Sequence, residues 1–376
     1  MKTELNLFER TLTLHRFPEH AAEQLQAWDA GDEYLIRHAE ELDLAPKQNI
    51  LIINDQFGAL ACWFSEHHNV TVMSDSFISR RGALQNLERN QCPAVQFMDA
   101  MSALPNDIDL VLMQLPKNNR YLTWLLSQLR RSISESCPVI AVNKAKEIHS
   151  STLKLFDKYL GDTRTSLAWK KHRLVFSFAN SQPQLDVSAN TCWTVEHEDI
   201  SLTNLPNVYS GESLDLGARF MLEHIPQNDR YGTIIDLGCG NGVLSVKTAR
   251  LNPNAQLICV DESLMAVQSA KINLSNNVDS GVNVQYIANN CLDGFEKNSA
   301  DLVLCNPPFH QQQAVTDHIA WQMFCDAKQV LSTGGELLVI GNRHLGYDKK
   351  LAKLFGKNQV KRVASNAKFV ILQATK

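Results

Sequence analysis

Short apolar runs recur along the chain at regular intervals. Ile50-Leu51-Ile52-Ile53, Thr71-Val72-Met73, Ile108-Asp109-Leu110-Val111-Leu112-Met113 and Val139-Ile140-Ala141-Val142 are each flanked by polar or turn-forming residues. Runs of that length, bounded in that way, read as strands buried on both faces. Helical spacing fills the gaps between them, most clearly over residues 121–133, and a further helix is predicted around 28–42. The segment Leu12-Thr13-Leu14-His15-Arg16-Phe17 reads as extended. Strands alternating with helices predict a wound parallel α/β sheet.

The pattern then repeats. Ile234-Ile235-Asp236-Leu237, Leu257-Ile258-Cys259-Val260, Leu302-Val303-Leu304-Cys305 and Leu337-Leu338-Val339-Ile340 come in the same rhythm. Equivalent places keep a nearly constant offset: 184 between Gly58 and Gly242, 186 between Asp75 and Asp261, 192 between Asp109 and Asp301. The ends match in kind, Arg173-Leu174-Val175-Phe176 against Lys368-Phe369-Val370-Ile371. The prediction is an α/β fold of two tandem Rossmann-like domains, 1–185 and 186–376. Residues 180–215, with Ser181, Pro183, Ser188 and Pro206 and little helical periodicity, read as a linker and lead-in. From Ser210 to Phe220 a loop runs into a helix.

The copies differ in their chemistry. Asp236-Leu237-Gly238-Cys239-Gly240-Asn241-Gly242 sits directly after a strand and before a helix. Glycines there allow a sharp turn and leave room for a ligand against the backbone. The spacing G-x-G-x-G differs from the G-x-G-x-x-G of dinucleotide binders, which disfavours a dehydrogenase. Asp261, ending the next strand, is placed to accept both hydroxyl hydrogens of a ribose diol. A glycine loop and a ribose carboxylate with no phosphate demand point to S-adenosylmethionine. Asp236 lies near its cationic end, and Asn290 is placed at the adenine edge. The first copy has Asn54-Asp55-Gln56-Phe57-Gly58 instead, so two of three glycines are gone and Phe57 is expected to crowd any ligand. It reads as a degenerate copy serving recognition or support.

Asn306-Pro307-Pro308-Phe309 comes directly after the strand 302–305. Two prolines end the strand and stiffen the backbone beyond it. An exocyclic amine on a base, or a carboxamide, is a poor nucleophile because its lone pair is delocalised. The Asn306 side-chain oxygen and the Pro307 carbonyl supply two acceptors for its hydrogens, and Phe309 a ring for stacking. The motif by itself leaves open a guanine or adenine amine or a glutamine side chain. A base in a paired stem has to flip out to reach it. The first copy has Gln114-Leu115-Pro116-Lys117 at this place, so only the second is expected to do chemistry.

Composition narrows the partners. Residues 1–190 carry 20 Lys plus Arg against 22 Asp plus Glu, and the remainder 16 against 18. Neither half is basic overall, so contact with nucleic acid has to be a local patch. Candidates are Arg164, Lys170, Lys171 and Arg173, His310 with Gln311 to Gln313, Arg343 and His344, and the stretch Lys349, Lys350, Lys353, Lys357, Lys361, Arg362. A solvated surface is the bland reading of each. The nine cysteines lack zinc or disulfide spacing and read as reduced thiols of a cytoplasmic protein. No metal site, leader or membrane span is expected. Two copies pairing within one chain suggest a monomer.

Asp236-Leu237-Gly238-Cys239-Gly240-Asn241-Gly242, Asn306-Pro307-Pro308-Phe309-His310-Gln311-Gln312 and Thr316-Asp317-His318-Ile319-Ala320-Trp321 resemble the ribosomal RNA guanine-N2 methyltransferases. The likeness is strongest to the large-subunit RlmG family and runs over nearly the whole chain, including Ala168-Trp169-Lys170-Lys171 and Gly341-Asn342-Arg343-His344-Leu345-Gly346-Tyr347. The resemblance implies two class I methyltransferase domains, the N-terminal one degenerate. It implies methyl transfer from S-adenosylmethionine to N2 of one guanine in 23S rRNA, on RNA stripped of most proteins. It assigns cofactor contacts to Asp236, Gly238, Gly240, Gly242 and Asp261, and amine binding to Asn306 through Phe309.

Overall fold

The computed structural model describes residues 2–20, 23–180, 185–308 and 313–376. The chain divides into two compact units, Met1–Ala189 and Asn190–Lys376. Each is a three-layer α/β unit around a seven-stranded sheet.

The first unit opens with a hairpin, β1 (Glu4–Leu7) and β2 (Arg10–Thr13), and helix α1 (Ala30–Glu40). The helix starts where Asp29 and Asp32 form a reciprocal cap on each other's backbone. Then come β3 (Asn49–Ile53), α2 (Ala59–Phe64), β4 (Asn69–Ser74), α3 (Phe77–Arg89), β5 (Gln96–Asp99), β6 (Leu110–Gln114) and α4 (Asn119–Ser132). The unit closes with β7 (Pro138–Lys144), α5 (Ser150–Tyr159), β8 (Thr163–Thr165) and β9 (His172–Phe178). The second unit repeats the plan. It runs through β10 (Thr191–Val195), β11 (Ile200–Asn204), α6 (Leu216–Leu222), β12 (Thr233–Leu237), α7 (Val243–Leu251), β13 (Gln256–Asp261) and α8 (Leu264–Asn277). It ends with β14 (Val284–Ala288), β15 (Ala300–Cys305), α9 (Gln313–Val330), β16 (Leu331–Asn342), α10 (Tyr347–Phe355), β17 (Val360–Ser365) and β18 (Phe369–Thr375).

Strand order is β5-β4-β3-β6-β7-β9-β8 in one unit and β14-β13-β12-β15-β16-β18-β17 in the other, the same topology twice. Five strands pair in parallel, and at one edge β18 (β9 in the first unit) runs antiparallel between β16 and β17 (β7 and β8). The inner parallel strands are buried along most of their length, which is why they are continuous apolar runs, while the edge strands β5 and β14 hold no fully buried residue.

One expectation is corrected. Residues 191–204 are not linker: β10 and β11 form an antiparallel hairpin, the counterpart of β1 and β2. Matching asparagines tie each hairpin to its unit. Asn273 Nδ2 donates to Thr203 O (3.0 Å) and Asn241 O (2.8 Å), while Asn273 Oδ1 accepts from Thr203 N. Asn86 does the same with His15 and with Phe57 O, at 2.8 to 3.0 Å. One turn on, Asn277 grips Ser201 and Asn90 grips Thr13. The duplication therefore extends to the hairpins and their side-chain clamps.

Candidate functional site

In a wound sheet, ligands bind where the strands end and the strand order reverses. In the second unit that place is the carboxyl end of β12, β13, β14 and β15. From Leu237 the chain turns through 238–242 into α7. Gly238 N and Cys239 N both donate to Val260 O, at 2.8 and 3.0 Å. Gly240 N donates to Asp261 Oδ2 at 2.9 Å, and Ser263 N to Asp261 Oδ1 at 3.0 Å. Asp261 thus holds the loop, and with about four lone-pair directions it keeps acceptor capacity for a ligand.

Asp236 is almost fully buried. Ser245 Oγ donates to its Oδ2 at 2.5 Å, and its Oδ1 has no partner. Burial pushes its carboxyl up to about 6; the Ser245 hydroxyl pulls the other way, and Asp261 adds a smaller upward push. Burial also raises Asp261, against the backbone amides of Ser263, Gly240 and Glu262. Asn306 comes next after the last residue of β15. Its side-chain oxygen is buried and has no partner. The amide motif and the glycine loop abut: a Cβ built on Gly238 would lie 3.9 Å from Asn306 O and 3.3 Å from Met323 Cε. Pro307 is buried and Pro308 exposed. Asn290 is buried just past β14, where Asn289 N donates to Asp261 O at 3.0 Å. The strand ends therefore bring together Asp236, Gly238, Gly240, Asp261, Asn290, Asn306 and Pro307. Gly242 lies against Ala270 of α8 instead. Phe309, His310, Gln311 and Gln312 lie outside the described residues.

The same place in the first unit is filled by its own side chains. Asn54, where the second copy has Gly238, donates from Nδ2 to Gln114 O at 3.1 Å. Asp55 accepts from Gly58 N (3.0 Å) and Ala61 N (2.8 Å), so its carboxylate occupies the amide donors at the start of α2. Gln114, the counterpart of Asn306, donates from Nε2 to Asp32 Oδ1 at 2.6 Å. Phe57 does not crowd the cleft. Its ring is buried in the core against Gly82, with the Arg16 guanidinium 4.7 Å from its centroid.

The basic candidates are scattered. Lys170 is paired with Glu33 at 2.8 Å. Arg343 and His344 are exposed in a single 3₁₀ turn after β16. Asn342, the last residue of β16, was not singled out from the sequence. Its side-chain oxygen is buried without a partner. Among the described residues, no cluster of three or more His, Cys, Asp or Glu is arranged to hold a metal ion, and no helix is long and apolar enough to cross a membrane.

Two family models match the chain: the RLMG N-terminal domain over residues 2–181 and the methyltransferase small domain over residues 199–373. A solved 16S rRNA N2 G1207 methyltransferase of T. thermophilus, in complex with AdoMet and guanosine, superposes with a TM-score of 0.74 at 17% identity. That likeness covers 100% of this chain and 97% of the other, and it shows the shared two-domain methyltransferase fold. The ribosomal RNA large subunit methyltransferase G of Vibrio parahaemolyticus is 69% identical over 376 residues, 100% of this chain and 98% of its own. That of Aliivibrio salmonicida is 65% identical over 377 residues, 100% of this chain and 99% of its own. Identity of that level along the whole length decides the matter: the chain belongs to the ribosomal RNA large subunit methyltransferase G family.

Proposed function

We propose that this chain transfers a methyl group from S-adenosylmethionine to the exocyclic N2 of a guanine in 23S rRNA. The guanine of 23S rRNA follows from the family, and the observation that carries the amine chemistry is the unpartnered, buried side-chain oxygen of Asn306, held at a strand end beside the glycine loop. A buried acceptor without a donor is costly, and an amine hydrogen of the substrate is the donor it lacks.

The residues present fit the methyl donor. Beside Gly240 a Cβ would meet nothing within 4 Å, so there is open space against the loop. The unpartnered Asp236 oxygen suits a cation, and Asp261 keeps acceptor capacity for a diol. Gly240 leaves the loop backbone open, Gly238 lets it approach Asn306, and Asn290 bounds the adenine side. S-adenosylmethionine, when bound, supplies an electrophilic methyl on a sulfonium.

Asn306 Oδ1 and the Pro307 carbonyl accept the two N2 hydrogens. This localises the nitrogen lone pair and aims it towards the loop. The two prolines fix the carbonyl, so little reorganisation is needed as charge develops. Phe309 is assigned the stacking role. No strong general base is required, because the amine becomes acidic once alkylated and gives up its proton to water.

The first unit, its cleft closed by Asn54, Asp55 and Gln114, supports the fold or contacts RNA. The protein acts as a monomer in the cytoplasm, on 23S rRNA largely free of protein. The test is label transfer from S-adenosylmethionine with deproteinised 23S rRNA, 16S rRNA, DNA and release factor offered in parallel. Label in guanine N2 of 23S rRNA alone is expected. Label in 16S rRNA, in adenine N6 or on a glutamine would each replace the proposal.

A further inference from the structure

We infer that Asn342 reads the Watson–Crick edge of the target guanine, in a pocket on the far side of Asn306 from the glycine loop. The inference rests on the guanine-N2 reading above and names where its base sits.

Sheet order carries the argument. At one end of the sheet stand, in sequence across it, Asp261 of β13, the glycine loop after β12, Asn306 after β15, Asn342 of β16 and Phe369 of β18. The proposed donor site lies on the first side of Asn306, and its second side holds a pocket of about 250 Å³. Tyr209, Asp215, Leu216, Asn342, Lys368 and Phe369 are in its wall. That is below the roughly 300–1,000 Å³ of sites for larger ligands, and suits one flat base. Exposed Tyr209 offers a ring on which a base stacks, while Phe369 is buried in the core at the pocket's floor. Lys368 Nζ, 5.0 Å from the Phe369 centroid, brings a cation to the rim, where a nucleotide carries its phosphate.

Register fixes the aim of Asn342. Cys305 pairs with Val339, so Asn306 stands beside Ile340, and Asn342 is two residues further along. Side chains two apart share a face. Ile340 and Leu304 face the core that includes Ala218 and Met221 of α6. Asn306 and Asn342 therefore point to the same side, separated by about 8 Å from strand spacing and rise. Both side-chain oxygens are buried and unpartnered. Guanine presents two adjacent kinds of donor, the N2 amine and N1–H. With N2 held at Asn306 and Pro307, N1–H is the donor for Asn342 Oδ1.

The first unit has closed the same place. Gln114 pairs with Val142 as Asn306 stands beside Ile340, so Lys144 and His172 are the counterparts of Asn342 and Phe369. His172 Nε2 lies 3.3 Å from Asp29 Oδ2 there. Asp29 caps α1 as Asp215 caps α6.

The test is inhibition of methyl transfer to deproteinised 23S rRNA by free guanosine and by 1-methylguanosine, which has a methyl in place of N1–H. Guanosine is expected to inhibit the wild-type protein at least about tenfold more strongly, the size of one specific base contact. Asn342→Ala should bring the ratio near one and still bind S-adenosylmethionine by calorimetry. Asn342→Asp, which keeps the acceptor, should keep the ratio. Active wild-type protein that guanosine does not inhibit, or Asn342→Ala still rejecting 1-methylguanosine, overturns this inference alone. Wild-type protein without activity on any RNA overturns the guanine reading as well.

Discussion

Gly242 and Ala270 are packed so closely that a Cβ on the glycine would fall 2.8 Å from the alanine Cα and 2.9 Å from its Cβ. Gly58 and Ala83 repeat the relationship in the first unit, at 2.7 and 2.9 Å. Both glycines are left-handed, with φ of +77° and +84°. The loop's last glycine is thus retained in a copy that has lost the other two because it lets two helices touch. Gly242→Ala is expected to lower stability by roughly 2–5 kcal/mol, from overpacking and left-handed strain. Gly58→Ala should cost about as much in the first unit. Denaturant unfolding measures both, and a stable Gly58→Ala would show that the match is accidental.

Gly240 should behave differently. Nothing lies within 4 Å of a Cβ built on it, although its φ is +54°. Gly240→Ala is expected to cost only about 1–2 kcal/mol of stability, while S-adenosylmethionine affinity drops tenfold or more as the methyl enters the ligand's space. Calorimetric titration beside thermal unfolding separates the two effects. Unchanged affinity would place the donor elsewhere.

The contrast shows what the sequence could and could not reveal. Four parallel strands of each sheet were legible because burial on both faces makes them unbroken apolar runs, whereas the edge strands β5 and β14 hold no fully buried residue and carry no such run. The hairpin 191–204 was not. Its strands are five residues each, and its turn places His197 and Asp199 at positive φ where glycine or asparagine would have signalled a reversal. The clamps formed by Asn86, Asn90, Asn273 and Asn277 lie in or at the end of helices, and their partners in or next to the hairpins are 70 to 77 residues away. Local pattern carries no trace of such a pairing. Phe57 was misread because one residue in a turn has no periodicity to say which way it faces. Asn342 escaped notice because its importance lies in an unpaired oxygen, visible only once the neighbouring strands are in place.

Asn306→Ala removes the buried, unpartnered oxygen proposed to accept from the amine and leaves the glycine loop intact. Methylation should fall on the order of 10²–10³-fold, as for loss of one preorganised polar group, with S-adenosylmethionine affinity unchanged. Single-turnover rates and donor titration on the same preparation decide it. A normal rate would mean that the amine is held by something else.

Gln114 is the counterpart of Asn306, and its amide is engaged with Asp32. Burial, then Asp29 and Asp55, raise the Asp32 carboxyl well above the usual range. Gln114→Ala should therefore cost about 1 kcal/mol of stability and leave kcat and KM on 23S rRNA as they were. A fall in kcat would give the first unit a part in the chemistry.

Asp236 links pH to both stability and donor binding, with opposite signs. Its carboxyl is raised by burial to about 6 in the folded chain, against an ordinary value of 3.8. A raised folded value favours the folded state fully below the unfolded value, and that contribution is lost as pH rises through about 6. The stability of Asp236→Asn relative to wild type should therefore improve by about 2 kcal/mol between pH 4 and pH 8. Donor binding runs the other way. A cationic donor is drawn to the ionised carboxylate, so affinity should fall about tenfold per pH unit below 6. Asp261, also raised by burial, steepens the fall at lower pH. In Asp236→Asn the affinity should be weaker at pH 8, and the slope just below pH 6 should be gone. Titration of S-adenosylmethionine against both proteins from pH 5 to 8 tests this, and an identical slope in the variant would remove Asp236 from the cation's neighbourhood.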